Sequence, residues 1–177
     1  MKKDGLIIAY IGEGKGKSTA AFGLALRAIG QEKKVCIIQF IKSNEQTGEA
    51  KFFKKLKNEC EFIALGEGFV SIQGDTKTFK VHKNAAQKAI EVAEEIITSN
   101  KYEVIILDEI VVAMALKLIT QAQIKKLLLL KKDHQTIVIT GRGELGKIEK
   151  LCDLITQMKC IAHPFDQKVE AIRGIDY

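Results

Sequence analysis

The residues best equipped for chemistry lie near the start of the chain, in Ile11-Gly12-Glu13-Gly14-Lys15-Gly16-Lys17-Ser18-Thr19. The stretch follows the apolar run Leu6-Ile7-Ile8-Ala9-Tyr10 and opens the helix-compatible residues 20–28. Strand, glycine loop and helix together make an anion cradle. Glycines let successive backbone N–H groups turn toward one ligand, and the helix N-terminus favours negative charge. In that setting Lys17 reaches phosphate oxygens, and the Ser18 hydroxyl supplies an oxygen to a phosphate-bound Mg²⁺. The pattern G-x-x-x-x-G-K-[ST] is not met in full, because Ile11 stands where its first glycine belongs. The loop is therefore a variant of the phosphate-binding motif.

A second group of candidates closes apolar runs further along. Asp108-Glu109 follows Val104-Ile105-Ile106-Leu107, the form of a strand ending on acids that hold Mg²⁺ directly or through water. The alternative is a pair of acids placed at a helix start, where the macrodipole favours them. Arg142 sits between Gly141 and Gly143, either to bind phosphate in a fork geometry or to tie down the turn. Gln39 also ends an apolar run. His82 and His134 read as surface residues, and His163, in His163-Pro164-Phe165, as a structural hydrogen-bonding residue of a stiff turn. No Ser-His-Asp or Cys-His arrangement stands out.

These residues need a scaffold that brings strand ends together. Residues 6–10, 35–41, 61–65, 104–107, 136–140 and 154–158 read as strands, the last near a sheet edge. Residues 20–28, 48–58, 82–98, 120–132 and 144–151 read as helices, with Gly30 as a left-handed stop and Thr120 as a cap. Residues 66–75 are too glycine-rich for a regular element and read as a binding loop. Alternating strands and helices indicate an α/β fold: a doubly wound, mostly parallel sheet with helices on both faces, P-loop NTPase-like. In such sheets ligands collect at the carboxyl ends of strands, where all the marked residues fall.

The 177 residues suit one domain over 1–177, with 46% hydrophobic and 28% charged residues and a single proline. The net charge of +6 comes from dispersed lysines, which argues for a solvated surface over a nucleic-acid partner. Cys36, Cys60, Cys152 and Cys160 lie far apart, without the spacing of a zinc site or a disulfide framework. With no apolar run of membrane-spanning length and no signal-peptide core, the expected location is cytoplasmic.

The loop from Gly12 to Ala21 resembles that of the corrinoid adenosyltransferases of the ATP:cob(I)alamin / cob(I)yrinic acid a,c-diamide type, which share the missing first glycine. The similarity continues in Gln39-Phe40-Ile41-Lys42, Gly66-Glu67-Gly68-Phe69, Leu107-Asp108-Glu109, Thr140-Gly141-Arg142-Gly143, His163-Pro164-Phe165 and Gly174-Ile175-Asp176-Tyr177. It implies that the Co(I) of a corrinoid attacks the 5′ carbon of ATP and that triphosphate leaves. By the same resemblance Gly12, Glu13, Gly14, Lys15, Gly16 and Lys17 form the cradle, and Arg142 supports the phosphates. Ser18 or Thr19 holds Mg²⁺ with Asp108 and Glu109. Lys17 and Phe69 are the implied catalytic residues, Phe69 by pressing on the corrin. The implied partners are ATP, cob(I)alamin or a corrinoid precursor, and an electron donor such as a flavoprotein, with a homodimer as the assembly considered. Two positions depart from the family: Glu13 replaces an asparagine, and Ser71 stands where a tryptophan is usual. They motivate a second reading, a nucleotide-binding protein that has lost corrinoid adenosylation. An ordinary P-loop ATPase or kinase is the third.

Overall fold

The computed structural model describes residues 4–43, 47–68, 70 and 75–175. The elements run β1 (Ile7–Ile11), α1 (Lys17–Ile29), β2 (Val35–Gln39), α2 (Gly48–Phe53), β3 (Cys60–Ala64), α3 (Phe79–Thr98), β4 (Val104–Asp108), α4 (Ile110–Ala115), α5 (Gln121–Leu129), β5 (Thr136–Gly141) and β6 (Leu154–Gln157). Two 3₁₀ turns, Gly146–Leu151 and Pro164–Gln167, flank β6. The six strands form one sheet in the order β3-β2-β4-β5-β1-β6, and every pairing is parallel.

Alternation along each strand divides the core between two faces. Ile8, Val35, Ile37, Val104, Ile106 and Val138 face α1 and Phe53 of α2. Ile7, Cys36, Ile38, Ile105, Leu107, Ile137 and Ile139 face α3, α4 and α5. Alanines line the contact side of α1 (Ala21, Ala25, Ala28) and of α3 (Ala86, Ala89, Ala93), so both helices lie close to the strands. Helices thus cover both faces of a fully parallel sheet, as the alternating pattern predicts.

The order of the strands matters most for function. β5 lies between β1 and β4, so the glycine loop and the acids emerge on either side of the β5 end. Register aligns Tyr10 with Thr140, Ile11 with Gly141 and Gln39 with Asp108. All of these sit at the carboxyl edge of the sheet, where β6 occupies the outer position beside β1.

Several local expectations are corrected. The segment expected as a helix over 48–58 is helical only to Phe53. The α3 helix starts at Phe79, which carries His82 inward: it is 3% exposed, with Nε2 3.1 and 3.2 Å from the Asp75 carboxylate oxygens. It is a buried residue, not a surface one. Gly30 has an ordinary right-handed φ of −63°, and Glu32 takes the left-handed turn at φ 59° instead. Residues 144–151 contain a 3₁₀ turn rather than an α-helix. Thr120 does cap α5, in a reciprocal capping box with Gln123. No helix among the described residues is long and apolar enough to cross a membrane.

Candidate nucleotide site

The glycine loop is shaped by the chain that follows β6. Gly12 and Gly16 have φ of +106° and +110°, conformations that residues with a Cβ rarely adopt. A Cβ on Gly12 would stand 2.4 Å from the Met158 carbonyl oxygen, and one on Gly14 2.6 Å from that of Lys159. The Gly14 N–H donates to the Met158 carbonyl at 2.9 Å, so this amide is engaged inside the protein. The Lys17 ammonium donates to the Gly14 carbonyl at 2.6 Å and thereby folds over the loop. Gly12→Ala should therefore displace Met158 and strain the turn. The conformational cost alone is about 1–3 kcal/mol, and the melting temperature should fall by roughly 2–12 °C in a chain of this size, which a thermal melt followed by circular dichroism will measure.

Asp108, at the end of β4, is fully buried and accepts three hydrogen bonds. Ser18 Oγ donates to its Oδ1 at 2.8 Å and Thr140 Oγ1 to the same oxygen at 2.7 Å. Gln39 Nε2 donates to Oδ2 at 3.0 Å. Buried charge needs such donors, and here they come from α1, β5 and β2. The Ser18–Asp108 bond joins the two sequence motifs directly.

Glu109 follows at φ 63°, left-handed and non-glycine. It occupies the N-cap position of α4 but makes no side-chain cap bond. Its N–H donates to Thr140 Oγ1 at 2.9 Å. Oε1 lies 3.8 Å from the Lys42 ammonium, while Oε2 is buried with no hydrogen-bond partner among the described residues. Burial, then the neighbouring Asp108, pushes the Glu109 carboxyl up to about 7; Lys42, Arg142 and Lys17 pull the other way. Between the ordinary value of 4.5 and about 7, the folded protein holds this proton more tightly than the unfolded chain does. Stability of the metal-free protein therefore falls as pH rises through that window, and the loss is complete above it. Glu109→Gln should remove this slope, melting above wild type at about pH 8 and together with it at about pH 4 in chelator.

Around these groups lies a cleft of about 290 Å³, lined by Lys15, Lys17, Ser18, Thr19, Lys42, Glu109 and Arg142, with Glu13 at its rim and His163 and Ile175 in its wall. Arg142 and Glu13 are largely exposed, with Arg142 Nε 3.9 Å from Glu13 Oε2. Glu13 thus faces a guanidinium and solvent. Burial, aided by Arg142, lowers the Lys17 ammonium below the usual lysine range. The sequence-predicted residues from Gly12 to Thr19 and Asp108, Glu109 and Arg142 therefore share one edge of the sheet. Phe69, Ser71, Asp176 and Tyr177 lie outside the described residues. Thr140, Lys42 and the cleft-facing position of His163 were not singled out as site residues from sequence. The one available signal was their occurrence at strand ends and in short motifs. A larger cavity, about 840 Å³, opens at the amino ends of β2, β3 and β4, away from all of these groups.

A parallel sheet, a strand–glycine loop–helix unit and a buried aspartate bonded to the loop serine define an α/β nucleotide-binding protein of the P-loop class. Residues 3–177 match the model of the family described as ATP:corrinoid adenosyltransferase BtuR/CobO/CobP, and the chain belongs to that family. It is 37% identical over 175 residues to a corrinoid adenosyltransferase of Sinorhizobium sp, covering 98% of this chain and 80% of that one. It is 34% identical over 173 residues to the corrinoid adenosyltransferase of Escherichia coli K12, covering 98% and 86%. The corrinoid adenosyltransferase CobA of Salmonella typhimurium LT2 is 32% identical over the same length, with 98% and 86% covered.

Proposed function

We propose that this chain transfers the 5′-deoxyadenosyl group of ATP to the Co(I) of a corrinoid and releases triphosphate. The electron pair of Co(I) forms the cobalt–carbon bond, the bond from C5′ to the phosphate oxygen breaks, and its electrons leave with the triphosphate. The observation that carries the reading is the Ser18–Asp108 bond inside a cationic cleft, in a chain matching this family from residue 3 to residue 177.

Lys17, Lys15, Arg142 and backbone amides of the loop from Gly12 to Lys17 other than that of Gly14 bind and orient the triphosphate. They also meet the charge that grows on it as it leaves. The residues present suit Mg²⁺. Ser18, Asp108 and Glu109 offer hard oxygen donors, and the buried, unpartnered Glu109 Oε2 is an open valence beside them. Mg²⁺, when bound, supplies charge neutralisation at the phosphate oxygens. The nucleophile is the substrate cobalt, so the protein's work is binding, orientation and electrostatics. Phe69 is assigned to the corrin on the family resemblance alone. A flavoprotein electron donor, a homodimeric assembly and a cytoplasmic location belong to the same proposal.

Purified protein incubated anaerobically with ATP, Mg²⁺ and cob(I)alamin should yield the light-sensitive spectrum of a cobalt–carbon bond. Tight ATP binding without that spectral change would instead favour a nucleotide-binding protein that has lost the reaction.

A further inference from the structure

Thr140 is fully buried near the end of β5, following Ile137, Val138 and Ile139. Valine has nearly the same shape and suits a strand equally well, so packing does not explain the hydroxyl. A hydroxyl removed from water costs free energy unless it is bonded, and this one is bonded twice. Its proton goes to Asp108 Oδ1 at 2.7 Å, and its oxygen accepts the Glu109 N–H at 2.9 Å. Thr140 therefore links the Asp108 carboxylate to the Glu109 backbone amide. The strand order makes this possible, because β5 lies between the glycine loop and β4.

We propose that Thr140 is a positioning residue for the magnesium–ATP site, an inference that rests on the function proposed above. One Asp108 oxygen is held by Thr140 and Ser18, the other by Gln39, so the carboxylate cannot rotate about its Cβ–Cγ bond without breaking a bond. The bond to the Glu109 N–H holds that residue in its left-handed conformation, which aims the unpartnered carboxylate oxygen. Without the hydroxyl, Asp108 Oδ1 loses one of its two donors and is held by Ser18 alone, so the carboxylate is less tightly fixed, and the Glu109 N–H loses its acceptor. The phosphate contacts made by Lys17 and the loop amides remain.

This separates two quantities that a general structural role would move together. ATP affinity is measured by calorimetry without corrinoid, so that no turnover occurs, in chelator and again in Mg²⁺. The proteins are wild type, Thr140→Ser, Thr140→Val and Thr140→Cys, with Lys17→Ala as a control for the nucleotide site. Thr140→Val should lose about 10- to 100-fold of the affinity that Mg²⁺ confers, the range typical of removing a partner that orients a metal ligand. Its affinity in chelator should stay within about twofold of wild type, a shift too small to count as a lost hydrogen bond. Thr140→Ser should restore the Mg²⁺ effect, and Thr140→Cys, a weak donor, should fall between and report even if the valine protein fails to fold. A full Mg²⁺ effect in Thr140→Val or Thr140→Cys would overturn the inference. So would equal losses with and without Mg²⁺, or failure of serine to rescue. Wild type that does not bind ATP, or ATP affinity indifferent to Lys17→Ala, would instead remove the nucleotide reading on which it stands.

Discussion

Replacing Lys17 with alanine will cut adenosylation by about 10²–10³ and leave the protein folded. The ammonium folds back on the Gly14 carbonyl, at the mouth of the cleft shared with Arg142, Lys42 and Lys15. Triphosphate gains charge as the C5′–O bond breaks, so a cation held against it contributes more in the transition state than in the ground state. Loss of one such preorganised donor reduces kcat by about 10²–10³. Stability should change little, because the Lys17 side chain is only partly buried and its single bond closes a short loop segment. Lys17→Arg is not a conservative control. A planar guanidinium is bulkier and spreads its charge, and it should recover only part of the rate. Steady-state kinetics in ATP, with a thermal melt of each variant, separates these effects. A Lys17→Ala protein with near wild-type kcat would mean that the loop does not hold the leaving group.

Asp108→Ala will disable the site and weaken the fold at once. Three donors converge on this carboxylate, from Ser18, Thr140 and Gln39, and the latter two are fully or almost fully buried. Each buried donor left without an acceptor costs about 1–3 kcal/mol. For the two buried ones, a fall of roughly 4–24 °C in melting temperature follows for a chain of this size. Activity should drop by about 10–100-fold, since the Ser18 and Thr140 hydroxyls lose the carboxylate that orients them. The neighbouring Glu109→Gln change should raise stability above neutral pH, because it removes a carboxylate that burial and Asp108 both disfavour. The two acids of one motif should therefore shift stability in opposite directions. If both variants melt lower than wild type at about pH 8, the picture of a Glu109 carboxylate disfavoured by burial and by Asp108 is wrong.

Much of the fold was legible because the strands are continuous aliphatic runs, as strands buried on both faces must be. The glycine loop and Asp108-Glu109 were legible for the same reason, since each ends such a run. What escaped depended on tertiary neighbours. The α4 helix, Ile110-Val111-Val112-Ala113-Met114-Ala115, is apolar all round and shows no helical phase, so no periodicity marks it. His82 reads as a surface residue in the sequence, but the start of α3 at Phe79 turns it toward Asp75. Gly12 and Gly14 read as ligand-facing glycines, but they also accommodate the close approach of Met158 and Lys159, more than 140 positions away in sequence. The dual bonding of Thr140 depends on β5 lying between β1 and β4, an order that no local pattern encodes. Glu13, an odd charge beside a phosphate loop in the sequence, turns outward near Arg142.

In the proposed reaction the loop holds a triphosphate that departs whole. Phosphorus NMR of the anaerobic reaction with ATP, Mg²⁺ and cob(I)alamin tests it most directly. One triphosphate should appear for each adenosylated corrinoid, with no phosphate formed in parallel. Inorganic phosphate or pyrophosphate as the primary product, or ATP cleaved without a cobalt–carbon bond, would contradict it.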